Sequence, residues 1–180
     1  MSGLESNDDI IDRCINNDRK AQELLYKQFL GPLWAICMRY MGDEHEAMEV
    51  LNDGYLKIFQ NLHKFDISKS SFYTWISRIM INTAVDSIRK KKTLKFIHVQ
   101  EIELGNEPFV DDIPDKYNAS ELVLLINRLP QTTKVVFNLY TIEGYSHDEI
   151  AKFLKITSST SRWHLTEAKK RLRDLIKGNG

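Results

Sequence analysis

The chain is poor in the features that usually give a function away. It has only two cysteines in 180 residues, Cys14 and Cys37. They are far apart, and each sits in an apolar helical pattern, so they read as buried reduced thiols and not as a disulfide framework. Net charge is zero, because 25 basic residues balance 25 acidic ones. Bulk charge therefore points to no partner. No apolar run approaches the ~20 residues that cross a bilayer, and the N-terminus lacks the basic, apolar and small-residue order of a signal peptide. A soluble cytoplasmic protein with no direct membrane insertion is expected. The sequence has no HExxH, no glycine-rich phosphate loop and no Cys/His cluster with zinc spacing. Asp43, His45 and Glu49 could imitate metal ligands, but acids in a first helical turn usually serve the cap and the dipole. No catalytic residue, metal or cofactor is expected, and the chain does not read as an enzyme.

No segment alternates convincingly enough for a buried strand, and there is no internal repeat. The apolar residues, 42% of the chain, recur instead at helical spacing. Asp18 can cap a segment striped by Leu24, Leu25, Phe29, Leu33, Trp34, Ile36 and Cys37, which Gly42 ends. Asp43 opens another, with Ala47, Val50, Leu51, Tyr55, Ile58, Phe59 and Leu62. After a polar turn over 66–71, Phe72 begins a third that runs into the basic run 89–92. The period then fails over 93–117, which holds two of the four prolines and most of the local acid. Residues 98–118 carry six acids against one lysine. This reads as a flexible acidic linker. From Asn118 the 3.6-residue period returns. The expectation is an all-α chain of two small helical domains, 1–92 and 118–180, joined by the linker 93–117.

Charge is segregated even though it sums to zero. Residues 151–180 carry eight Lys or Arg against two acids, a balance that suits a polyanion. Within this region, Ser146-His-Asp-Glu149 has the spacing of a capping box, Lys155-Ile156 makes a short turn, and Thr157 or Ser158 can cap the next helix. In that helix Leu165, Ala168, Leu172 and Leu175 form one stripe, with Ser159, Arg162, Trp163, Thr166, Lys169, Lys170 and Arg173 opposite. This is helix-turn-helix patterning: one helix braces while the second offers base-edge and phosphate contacts. The plainer alternative is a two-helix hairpin with a solvated basic face, since basic residues also suit a helix C-terminus.

A second cluster lies at 68–92. Phe72, Tyr73 and Trp75 follow a polar loop closely, and exposed aromatics can stack on unpaired bases. Arg78, Asn82, Asp86 and Arg89 share one polar helix face, extended in charge by Lys90, Lys91 and Lys92. The alternative places Phe72 and Trp75 in the core. For Trp75 and Ile76 the pattern favours the core; Tyr73 and the Ser70-Ser71 loop are left open.

With both halves in view, the chain resembles the extracytoplasmic-function (ECF) sigma factors of bacterial RNA polymerase, in the sigma-70 family. The resemblance rests on EVLNDGYLKIFQNLHKF (49–65), FYTWISRIMINTAVDSIRKKK (72–92) and LPQTTKVVFNLYTIEGYSHDEIAKFLKITSSTSRWHLTEAKKRLR (129–173). It implies a first domain that docks on the clamp of core RNA polymerase through Glu49, Asn52, Asp53, Leu56, Lys57, Phe59 and Gln60. It implies that Ser70, Ser71, Phe72, Tyr73, Arg78, Asn82, Asp86, Arg89 and Lys90 read a melting −10 element, with a flipped base held in a preformed pocket. The second domain would reach the polymerase flap. It would read the −35 element as duplex through Ser159, Thr160, Arg162, Trp163, His164 and Thr166, backed by Lys169, Lys170 and Arg173. The linker would thread toward the active-site channel, and an anti-sigma factor would be a further partner. The rival reading is a two-domain helix-turn-helix regulator that does not bind polymerase.

Three residues depart from the family pattern. Lys155 stands where glycine is usual, which strains the turn if its φ is positive. Glu167 stands where arginine is usual, and would repel phosphate or accept from cytosine. Gly54 stands mid-helix where threonine or alanine is usual, at up to ~1 kcal/mol of helix stability.

Overall fold

The structure, a computed structural model, describes residues 7–91 and 119–178; the expected linker lies outside the described residues. It divides into two units, Met1–Ile88 and Arg89–Gly180. Among the described residues all regular structure is helical.

The first unit is built from α1 (Asn7–Ile15), α2 (Arg19–Met41), α3 (Glu44–Asn61), a 3₁₀ turn (Leu62–Lys64) and the length of α4 (Phe72–Lys90) up to Ile88. The expected punctuation is present. The Asp18 carboxylate accepts from the Lys20 and Ala21 backbone N–H groups at 2.8 and 3.3 Å, opening α2. Arg13 donates to the same carboxylate and, with these bonds, holds its pKa below the usual range. Gly42 ends α2 at φ 79°, a conformation that disfavours any side chain with a Cβ. Asp43 then caps α3, accepting from the Glu46 N–H at 2.9 Å. His45 pairs with Glu49 one turn on, at 3.5 Å, so the three metal-like residues have capping and pairing partners within their own helix.

Leu25, Leu33, Ile36, Leu51, Ile58, Ile76, Met80 and Val85 make the fully buried centre of this unit. Gly54 is explained here. A Cβ at that position would overlap the Met80 sulfur, so the missing side chain lets α3 receive the Met80 side chain of α4. The helix gives up propensity and gains close packing. Cys14 and Cys37 are free and buried, as expected. Burial pushes their thiols up to about 11 and about 12, which removes them from thiolate chemistry near neutral pH.

The second unit contains α5 (Ala119–Asn127), α6 (Gln131–Phe137), a π-helical turn (Asn138–Ile142), α7 (His147–Leu154) and α8 (Ser158–Gly178). Here α8 packs on α5, α6 and α7. Its core joins Leu125, Leu129, Val135, Val136, Leu139, Ile150, Leu154, Leu165 and Ala168 with buried polar residues. These are Thr132, Thr133, Lys134, Asn138, Thr160, Ser161 and His164. Thr160 and His164 are two of the residues that the family resemblance implied as base readers.

Candidate nucleic-acid interface

Three local signals set the geometry of α7 and α8. The capping box at Ser146 is complete: the Glu149 N–H donates to Ser146 Oγ at 3.2 Å, and the Ser146 N–H donates to the Glu149 carboxylate at 2.8 Å. Lys155 terminates α7 in the left-handed region, at φ 58° and ψ 48°. The Ile156 N–H returns to the Ala151 carbonyl at 3.0 Å, the bond that closes a Schellman turn. Thr157 is the cap of α8, with its Oγ1 accepting from the Thr160 N–H at 3.0 Å. The strained turn expected at Lys155 is therefore real.

Polar bonds then tie α8 to its neighbours. Ser158 Oγ donates to Asp148 Oδ1 at 2.5 Å, and Ser161 Oγ meets His147 Nδ1 at 2.9 Å, both linking α8 to α7. Thr133 Oγ1 meets His164 Nδ1 at 3.2 Å, linking α8 to α6. Burial holds the His164 imidazole down at about 4, so it is neutral at physiological pH.

These ties correct two expected readers. Thr160 and His164 are 4% and 2% exposed and face the core, not solvent. The physical reason is periodicity: Thr160, His164 and Ala168 recur every four residues and form, with Ser161 and Leu165, the seam against α6 and α7. Thr160 and His164 came with the family resemblance; the stripe pattern of α8 puts neither on its polar face. What remains on the outer side is coherent. Ser159, Arg162, Thr166, Lys170 and Arg173 are exposed, and Trp163 and Lys169 are half-buried. Of the two residues that extend the apolar stripe, Leu172 and Leu175, both are half-buried. Glu167 does not point alone at an incoming ligand: its carboxylate accepts from Arg171 Nε at 2.5 Å, one turn along.

The first unit carries the other cluster. The loop before α4 is organised by Asp66, whose carboxylate takes the Ser68 hydroxyl at 2.6 Å and the Ser68 N–H at 3.0 Å; these bonds lower its pKa. Ser71 caps α4 through the Thr74 N–H. Phe65 and Phe72 flank the loop edge to face, with ring centroids 5.1 Å apart. Phe72 is thus 8% exposed and belongs to the core, a correction to its expected place among the base-stacking residues. Tyr73 is exposed and lies parallel to Phe29. Ser71, Arg78, Asn82, Asp86 and Lys90 are exposed, and Ser70 and Arg89 are half-buried.

Asn82 also lines a groove of about 310 Å³ with Lys57, Asn61, Lys64, Trp75, Ile79 and Thr83. Sequence reasoning missed Asn61 and Lys64 as companions of Asn82, and it assigned Lys57 elsewhere. The groove arises where α3 and its 3₁₀ extension meet α4, a juxtaposition that no local spacing announces. Lys57 Nζ donates to Thr83 Oγ1 at 3.1 Å and Lys64 Nζ to Asn61 Oδ1 at 2.7 Å. Two ammonium groups, two carboxamides and a half-buried indole are the chemistry of a base-and-phosphate site.

On α3, Glu49, Asn52, Asp53, Leu56 and Gln60 are exposed, while Lys57 and Phe59 are half-buried. Leu56 is a large apolar side chain left 57% exposed. Among the described residues no helix is long and apolar enough to cross a membrane.

Comparison with known proteins fits this arrangement. Residues 25–93 match sigma-70 region 2, and residues 119–172 match sigma-70 region 4. The chain is 23% identical over 178 residues to the ECF RNA polymerase sigma-E factor of Haemophilus influenzae, covering 93% of each chain. It is 26% identical over 156 residues to the ECF sigma factor SigW of Bacillus subtilis, covering 81% of this chain and 83% of that one. In fold it is similar to the sigma factor RpoE of Bartonella quintana, solved with the anti-sigma factor NepR. The TM-score is 0.54 and the identity 16%, over 86% of this chain and 96% of that one. Two family regions in order, matched together over more than half the chain, with sequence relatives covered over 83–93% of their own length, leave one assignment: the chain belongs to the sigma-70 family, as an ECF-type sigma factor built from region 2 and region 4.

Proposed function

We propose that the chain is an alternative sigma factor: it binds core RNA polymerase, recognises −10 and −35 promoter elements and directs transcription initiation. The observation that carries this reading is the pairing of two different nucleic-acid surfaces in one chain. A helix-turn-helix with a basic outer face suits duplex DNA in the major groove. A groove with Trp75, Asn82 and two lysines suits a separated strand. A plain helix-turn-helix regulator needs only the first.

In this reading α8 is the recognition helix. Arg162 and Thr166 face base edges with Ser159 and Trp163, and Lys169, Lys170 and Arg173 neutralise phosphates. Thr160 and His164 are removed from that set and hold the helix in place. In the first domain Tyr73, Arg78, Asn82, Asp86, Arg89 and Lys90 serve the −10 element with Ser70 and Ser71, while Phe72 anchors the loop from beneath. Leu56 is the apolar anchor for the polymerase clamp, ringed by Glu49, Asn52, Asp53 and Gln60, with Lys57 and Phe59 at its edge. The second domain reaches the flap. The protein is a non-enzymatic, cytoplasmic regulatory subunit, and an anti-sigma factor that covers one or both surfaces is a further partner. Binding to purified core polymerase without DNA tests the reading: a sigma factor forms a stable complex, and a free-standing regulator stays in the unbound fraction.

A further inference from the structure

His147 is not used by the function as described, yet it occupies a connecting position in the second domain. It is the first residue of α7, and its Nδ1 meets Ser161 Oγ of α8 at 2.9 Å. Its ring stacks on Tyr140 of the π-helical turn, with centroids 4.4 Å apart and planes at 21°. The charged groups that act on it are Arg162 and Lys169 from α8 and Asp148 from its own helix. Arg162 and Lys169 are the cations that the functional reading turns toward DNA. One imidazole is thus in contact with three elements and sits in the field of the recognition helix.

We propose that His147 is a proton-linked positioning residue: it fastens α8 to α7 and takes up a proton from solvent when α8 engages duplex promoter DNA. This rests on the reading of α8 as the recognition helix. The electrostatics run in one direction. In the free chain, burial first and then the positive charge of Arg162 and Lys169 depress the His147 pKa, and Asp148 offsets this in part. Phosphates that neutralise Arg162 and Lys169 remove the repulsion, so the imidazolium becomes more favourable in the complex. The Ser161 hydroxyl has lone pairs that can accept from a protonated Nδ1, so the tie between the helices survives the proton. Binding of the proton and of DNA then favour each other reciprocally. His164 does not compete, because it stays neutral down to about 4.

The test uses the full chain and a promoter duplex recovered by selection with its own holoenzyme. Affinity is measured from pH 8 to pH 6 for the wild type and His147→Gln, whose amide can still reach Ser161. Proton uptake on binding gives a gain in affinity of roughly a few-fold as the pH falls toward 6. The expected result is this gain in the wild type and a flatter profile in the variant. In parallel, the His147 ring signal of the wild type is titrated by NMR with and without the duplex, and its pKa is expected to rise on binding. Equal slopes in both proteins, or an unchanged His147 pKa in a complex that does form, overturn the inference and leave the recognition-helix reading standing. Absence of DNA binding at every pH overturns both.

Discussion

Lys155 offers a direct test of how the turn of the DNA-reading motif is held. It adopts φ 58° and ψ 48°, where a side chain with a Cβ meets its own carbonyl at a cost of about 1–2 kcal/mol. Replacing it by glycine removes that cost. Glycine also gains freedom in the unfolded chain, which gives back about 0.4–1 kcal/mol. The net expectation for Lys155→Gly is a second domain more stable by about 1 kcal/mol. Loss of the ammonium group must be separated from loss of the Cβ, so Lys155→Ala is the control: it removes the charge and keeps the strain. Amide hydrogen exchange resolves the two domains. Peptides covering residues 146–170 should exchange about fivefold more slowly in the glycine variant than in the alanine variant, the factor that 1 kcal/mol sets for amides released by unfolding. Peptides from 19–62 should exchange equally in both. Equal protection of 146–170 in the two variants would mean that the left-handed turn carries no strain, and the reasoning would fail.

Other outcomes follow from the same geometry. Arg162→Ala should cost about 1–3 kcal/mol in promoter affinity and relax sequence preference at one −35 position, whereas Lys170→Ala should weaken all sequences evenly and lower the salt slope by about 1; a selection and a salt titration distinguish them. Leu56→Ala should weaken core polymerase binding by about 1–2 kcal/mol with no change in melting temperature, since Leu56 is 57% exposed. Asn82→Ala should impair initiation on duplex −10 templates more than on pre-melted ones if Asn82 supports strand opening, and the reverse order would remove it from that step. The second domain should lose stability on acidification. His164 is held at about 4 against an ordinary 6.5, so its contribution is complete above 6.5 and is lost as the pH falls from there toward 4. The loss is up to about 3 kcal/mol, and His164→Gln should flatten that part of the denaturation profile.

The sequence made the helices and their ends readable, because caps and stripes are local. Asp18, Gly42, Asp43 and Ser146 were each legible as punctuation and act as such. The apolar stripe through 24–37 also outweighed Pro32, and α2 runs through it unbroken. The strain at Lys155 was legible only through the family resemblance, in which glycine usually occupies that turn, and the structure supplies the positive φ. The face of α8 was legible only in part. Its seam is built from Thr160, Ser161 and His164 as well as Leu165 and Ala168, and polarity alone cannot distinguish a polar seam from a polar surface. The groove around Asn82 was illegible for a different reason. Lys57, Asn61 and Lys64 meet Trp75 and Asn82 only when α3 and α4 pack, a tertiary event with no signature in either segment. Gly54 is a weakness in α3 by propensity alone, and only the packing of Met80 into the space it leaves accounts for it.

The central claim, that one chain joins a polymerase-docking strand-reading domain to a duplex-reading domain, is tested most directly by run-off transcription in vitro. The purified chain is combined with core RNA polymerase and a promoter library, on intact and on pre-melted −10 templates. The account predicts initiation that depends on the chain, selects recurring −10 and −35 sequences and occurs on intact duplex. DNA binding without initiation on either template would contradict it and return the chain to the class of free-standing regulators.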